Sequence, residues 1–165
     1  MLYLSTDMEN PKVFQKENKI PKESKKIDVF LSSLKELFFI ENPSFKNKKE
    51  GYEKILKDFI DSHRKDDVWV YYPWSNTAIH IPKEDLYFKL RTARNRNIIT
   101  EKEQQKYRDA TVGIAGLSVG SSILSALVMT GGPKQIKIAD FDTIEISNLN
   151  RIQAGLMDIG LNKSH

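Results

Sequence analysis

Apolar positions recur at helical spacing through much of the first half of the chain. In "KIDVFLSSLKELFFI" they are Val29, Phe30, Leu34, Leu37 and Phe38, which share one face of a helix. In "YEKILKDFIDSHRK" Tyr52, Ile55, Leu56 and Phe59 do the same, and "KEDLYFKLRTAR", after Pro82, again reads as helix. The stretch "NPSFKNKKEG" between the first two is a loop by composition. "VWVYYPWSNTAIHI" holds two β-rich runs on either side of "PWSN", so a hairpin is predicted near 68–81. Residues 1–26 break the pattern. They are polar, rich in Lys and Glu, and interrupted by Pro11 and Pro21. Such a segment buries too little apolar surface to offset its ordering and is predicted to be a flexible arm.

From about residue 85 the pattern changes to β/α alternation. Thr100 with Glu103 three residues on is a capping-box pattern opening the helix "EKEQQKYRDA". "TVGIA" has the small and β-branched residues of a buried parallel strand. Gly116 and Gly120 bracket "LSV", and "SSILSALVMT" is a helix with Ser122, Ser125 and Ala126 where close packing on a sheet needs small residues. Gly131, Gly132 and Pro133 stop it, and "QIKIAD" is the next strand. This is a βαβ unit whose crossover is right-handed. The expected fold class is α/β: a partial Rossmann-like parallel unit preceded by a mainly helical region with a hairpin. The expected organisation is an arm over 1–26, an accessory region over 27–85 and a nucleotide-binding domain over 86–165. Only two strands of that domain are present where a mononucleotide-binding half needs a third. The chain is therefore expected to be the N-terminal portion of a larger protein.

Composition narrows the chemistry. Hydrophobic residues at 39% and charged ones at 29% are ordinary for a globular protein. The net charge of +4 comes from 26 Lys and Arg against 22 Asp and Glu, mixed along the chain. That is a solvated surface rather than a nucleic-acid patch. With no cysteine, disulfides, cysteine-ligated zinc and thioester or persulfide chemistry are impossible on this chain. The start "MLYLSTDMENPK" is no signal peptide, and no apolar run approaches the roughly 18 residues of a membrane span. A cytoplasmic protein with neither membrane nor nucleic acid as partner is expected. His63 and His80 are isolated, and His80 is expected to be a satisfied histidine in its strand. Trp69, Tyr71, Tyr72 and Trp74 are expected to serve core and hairpin packing.

The glycine turn would aim backbone N–H groups and the helix dipole at an anion. It is not the G-x-G-x-x-G fingerprint, because Ala115 and Leu117 stand at its first two glycine positions. Asp140 ends the second strand twenty residues after Gly120, where a dinucleotide-binding unit puts its ribose-binding carboxylate. "ADFDTIEISNLNR" then packs two carboxylates, two asparagines and an arginine along the edge where ligands bind. Asp142 suits a metal-bound phosphate, Asn148 and Asn150 are neutral donors, and Arg151 is a bidentate clamp for phosphate oxygens.

"DFDTIEISNLNR" resembles the ThiF/MoeB family, bacterial relatives of ubiquitin-activating enzymes, whose pattern is D-x-D followed by S-N-L-[NQ]-R. Upstream, "NRNIITEKEQQKYRDATVGIAG" is similar to the N-R-Q-I…G-Q…L…V-x-V-x-G stretch that opens the family's domain. Downstream, "DIGLNK" resembles the G-x-x-K that carries its phosphate-binding lysine. The wording "RNRNIIT…EQ…VGIAGLSVG" resembles a bacterial branch joined to nitroreductase-like regions. The resemblance implies Mg2+ and ATP as cofactors and a protein or peptide C-terminal carboxylate as acyl substrate. It implies attack of that carboxylate on the α-phosphate to give an acyl-adenylate and pyrophosphate. By the same resemblance Gly116, Ser118 and Gly120 lie beside the nucleotide and Asp140 holds its ribose. Asn148, Arg151 and Lys163 contact the phosphates, and Arg96 reaches into a neighbouring subunit's site, so a homodimer is implied. The alternatives are an NAD/FAD-type dinucleotide-binding module, which leaves "SNLNR" without a purpose, and a non-catalytic dimerisation or interaction domain that keeps the fold.

Overall fold

The computed structural model describes residues 9–48 and 50–164. These divide into two compact units, residues 9–93 and residues 94–164. Residues 1–8, the start of the predicted arm, lie outside the described residues.

The first unit is a four-stranded mixed sheet with three helices. Its strands are β1 (Lys12–Phe14), β2 (Lys25–Asp28), β3 (Asp67–Tyr72) and β4 (Thr77–Pro82), and the order across the sheet is β1-β3-β4-β2. The predicted hairpin is its centre: β3 and β4 pair antiparallel with Trp69 opposite His80. Asn76 closes the connection at φ 45°, a left-handed conformation that asparagine tolerates better than most residues. The region is thus less purely helical than the sequence predicts, and the loose arm needs correction. Residues 12–14 pair antiparallel with β3, and residues 25–28 pair parallel with β4. Both strands are short and occupy the sheet edges, where lysines stay in water, which is why their pattern reads as polar arm. Ile20 is buried against Trp69 and Ala78, with Phe14 packed on the same cluster.

Helices α1 (Phe30–Glu41), α2 (Glu53–Ser62) and α3 (Glu84–Thr92) complete this unit. The Asp28 carboxylate accepts the Phe30 N–H at 3.0 Å and so fixes the start of α1. Leu34, Leu37 and Phe38 are almost wholly buried, and Phe38 meets Phe45 and Phe59 at centroid distances of 5.8 and 5.6 Å. His80 stacks on Trp69 at 4.7 Å. Its Nε2 pairs with Asp67 at 2.9 Å, while its Nδ1 lies 3.0 Å from Asp28 but out of line for a hydrogen bond.

The second unit opens with α4 (Glu101–Asp109), capped as the sequence predicts. Thr100 N–H donates to Glu103 at 2.7 Å, and Glu103 N–H donates to the Thr100 hydroxyl at 3.3 Å. Strands β5 (Thr111–Ala115) and β6 (Gln135–Ala139) pair in parallel, Val112 opposite Ile136 and Ala115 opposite Ala139. Helix α5 (Gly120–Met129) crosses between them. The fold is therefore α/β with a partial Rossmann-like βαβ unit. After β6 the chain makes single helical turns at Ile146–Asn148 and Leu156–Asp158. It returns so that Thr143 bridges Asn162 and Ile144 N–H donates to Leu161 O at 2.8 Å. This closed loop brings Lys163 back beside the end of β6.

Candidate functional site

The glycine turn lies at the carboxyl end of β5, the edge where open parallel sheets bind ligands. Gly116 has φ +87°, accessible to glycine without steric cost, and its N–H continues the strand pairing to Ala139 O at 2.8 Å. Gly120 is needed for closeness: a Cβ there would stand 2.8 Å from Ile114 Cγ2. Leu117, a departure from the glycine fingerprint, turns inward and is 3% exposed. It fills the unit's small core, and its side chain is not part of the cleft. Only its N–H faces the site, donating to Asp140 Oδ2 at 2.6 Å.

Asp140 therefore joins the two halves of the site. Its Oδ2 takes the Leu117 N–H from the glycine turn, and its Oδ1 takes the Asp142 N–H at 2.9 Å. These bonds, the Leu117 bond foremost, hold its carboxyl below the usual carboxylate range. An open cleft of about 590 Å³ lies against it, lined by Ala115, Gly116, Ile138, Ala139, Asp140, Phe141 and Ser164. Phe141, between the two aspartates, is 92% exposed.

Arg151 is held by three acceptors. Its Nε donates to Ser118 Oγ at 2.9 Å, and its Nη1 donates to Ser147 O at 3.1 Å and to Asn150 Oδ1 at 3.0 Å. All three are neutral, and among the described residues no carboxylate pairs with it. Its charge is thus oriented and left uncompensated. Lys163 is held differently: its ammonium, with the side chain 7% exposed, sits 2.8 Å from Asp142 Oδ2, and its N–H donates to Asp142 O at 2.9 Å. Asn148 is buried, and its Oδ1 accepts the Glu145 N–H at 3.2 Å, which fixes the turn that presents Arg151.

The structure thus gathers Gly116, Ser118, Gly120, Asp140, Asp142, Arg151 and Lys163 at one end of the βαβ unit. It does not bring Arg96 to them. That residue lies in the turn Asn95–Asn97, where Asn95 is tied to Gln104 Oε1 and to Thr130 O at the far end of α5. Ten residues of helix place that end about 15 Å from the glycine turn. Sequence reasoning missed Ser164, which lines the cleft and follows the lysine of "GLNK", and Phe141, which stands inside the D-x-D itself.

The second unit is thus a Rossmann-like parallel pair with a glycine turn, an acid-ended second strand and, on the loop that follows, an arginine that no carboxylate pairs among the described residues. Residues 92–165 match the ThiF family. The chain is also 43% identical over 96 residues to an uncharacterized protein of Mycobacterium tuberculosis (strain CDC 1551 / Oshkosh). The match takes in 58% of this chain and 13% of that relative, so the chain corresponds to a small part of it. No solved structure matches the chain. Among the described residues no helix is long and apolar enough to cross a membrane.

Proposed function

We propose that the ThiF-type segment binds Mg-ATP and takes part in adenylating a protein or peptide C-terminal carboxylate. The observation that carries the reading is Arg151, a guanidinium held by neutral acceptors and, among the described residues, by no carboxylate. A cation built in this way is matched to an anionic ligand, and its planar fork suits two phosphate oxygens.

In the proposed reaction a substrate carboxylate oxygen attacks the α-phosphorus and forms the acyl–phosphate bond. The bond from the α-phosphorus to the bridging oxygen breaks, and pyrophosphate leaves with the electron pair. Such transfer depends on positioning and charge neutralisation. Arg151 meets the charge that builds on the departing oxygens. Asp140, already anchored through its carboxylate to the glycine turn, offers its remaining lone pairs to the ribose hydroxyls. Lys163 is released from Asp142 toward the phosphates. Asp142, half exposed, would help hold a magnesium ion. Magnesium, when bound, supplies charge neutralisation across the phosphates. By family resemblance Arg96 serves a neighbouring subunit in a homodimer, in keeping with its anchorage at the far end of α5.

Calorimetric titration of the chain with Mg-ATP and with NAD tests the ligand. ATP is expected to bind, with the Asp140→Ala variant weaker by about tenfold, the scale of one charge-assisted hydrogen bond. Binding of NAD in preference to ATP would support the dinucleotide-module reading instead.

A further inference from the structure

Two of the three acceptors that hold Arg151 belong to its own segment. Ser147 and Asn150 lie four and one residues before it and move wherever that segment moves. Ser118 lies thirty-three positions earlier, on the glycine turn. Its hydroxyl is the bond, among the described residues, that refers the arginine to the turn beside the nucleotide. We propose that Ser118 is a positioning residue for Arg151, setting the direction in which the guanidinium presents itself to phosphate oxygens. The inference rests on the phosphate-binding reading of the site.

The chemistry of the pair favours this role. Fixing Nε on one side and Nη1 on the other fixes the guanidinium plane, so the N–H groups on Nη2 are aimed rather than free. A carboxylate at position 118 would orient the arginine equally well but would neutralise it. A hydroxyl orients it and leaves its charge for the ligand. Ser118 is itself steadied, since its carbonyl accepts the Ser121 hydroxyl at 3.0 Å. The backbone of the segment is held separately, since the Arg151 and Ile152 N–H groups both donate to Asn148 O at 3.0 Å. Loss of the Ser118 hydroxyl therefore frees the arginine side chain without releasing the backbone that carries it.

The test uses the full chain, wild type and the variants Ser118→Ala and Ser118→Thr, labelled with nitrogen-15 arginine and titrated with magnesium pyrophosphate. The Arg151 Nε–Hε signal is assigned by its loss in Arg151→Lys. In the wild type this proton is expected to exchange slowly with water and to shift on titration. Ser118→Ala is expected to lose that protection and to bind pyrophosphate roughly tenfold more weakly, as for one lost bond to a charged group. Ser118→Thr, which keeps the hydroxyl, is expected to restore both, which a general loss of folding would not allow. Unchanged protection or unchanged affinity in Ser118→Ala overturns the proposal. If pyrophosphate binds no form of the chain, the phosphate reading fails and this role fails with it. Protection lost in Ser118→Ala and regained in Ser118→Thr would then show that the tie itself exists.

Discussion

At the scale of single residues, the site turns on which polar atoms are already engaged. Asp140 is held below the usual carboxylate range by the Leu117 and Asp142 N–H groups. A carboxyl with a depressed folded pKa stabilises the fold above its unfolded value, and that contribution is lost as pH falls through the folded one. Wild-type Tm is therefore expected to fall on acidification below the ordinary aspartate range. The Asp140→Asn variant should be less stable at neutral pH and should converge on the wild type as acid protonates Asp140. Parallel melting curves at every pH would contradict this. Asp140 and Arg151 were legible in the sequence because chemistry-bearing types sat at telling distances from a glycine turn. Leu117 was not. A single sequence shows that a side chain replaces a glycine, but only packing shows that it turns into the core and leaves the cleft open.

At the scale of elements, glycines and caps decide local stability. A Cβ at Gly120 meets Ile114 at 2.8 Å, and one at Gly132 meets the Leu127 carbonyl at 2.3 Å, whereas Gly113 has open space around it. Denaturant midpoints should therefore show Gly120→Ala and Gly132→Ala losing about 1–3 kcal/mol to overpacking. Gly113→Ala should be close to neutral. Equal losses at all three would mean that close approach does not govern these positions. Thr100→Ala should cost about 1 kcal/mol by removing the cap of α4. The sequence announced α1, α4 and the β3–β4 hairpin through their periodicity and caps. It concealed β1 and β2, since strands of three and four residues with lysines on their exposed faces carry too little alternation to stand out. Their existence depends on the hairpin that offers them partners.

At the scale of the molecule, the two units differ in how much core they own. The first buries Leu34, Leu37, Phe38 and Trp69, whereas Leu117 and Ile144 are the large apolar side chains buried in the second, among the described residues. Strands β3 and β4 each have two neighbours, and β5 and β6 have one apiece. Backbone amides of β3 and β4 are thus expected to outlast those of β5 and β6 in hydrogen exchange. The reverse order would mean that the two-stranded sheet is covered in solution. The exposed side chains of Phe141, Leu156 and Met157 give the second unit an apolar loop surface that its sequence pattern alone did not reveal.

In the proposed adenylation Arg151 stabilises phosphate charge as pyrophosphate departs, an interaction that strengthens in the transition state. This role is tested by pyrophosphate–ATP exchange by the protein with a candidate acyl partner, comparing wild type with Arg151→Lys. Lysine keeps the charge and loses the fork. Exchange in the wild type, reduced by about a hundredfold in the variant with little change in KM for ATP, is the predicted result. Exchange that the lysine leaves untouched, or its absence from the wild type, would contradict the account.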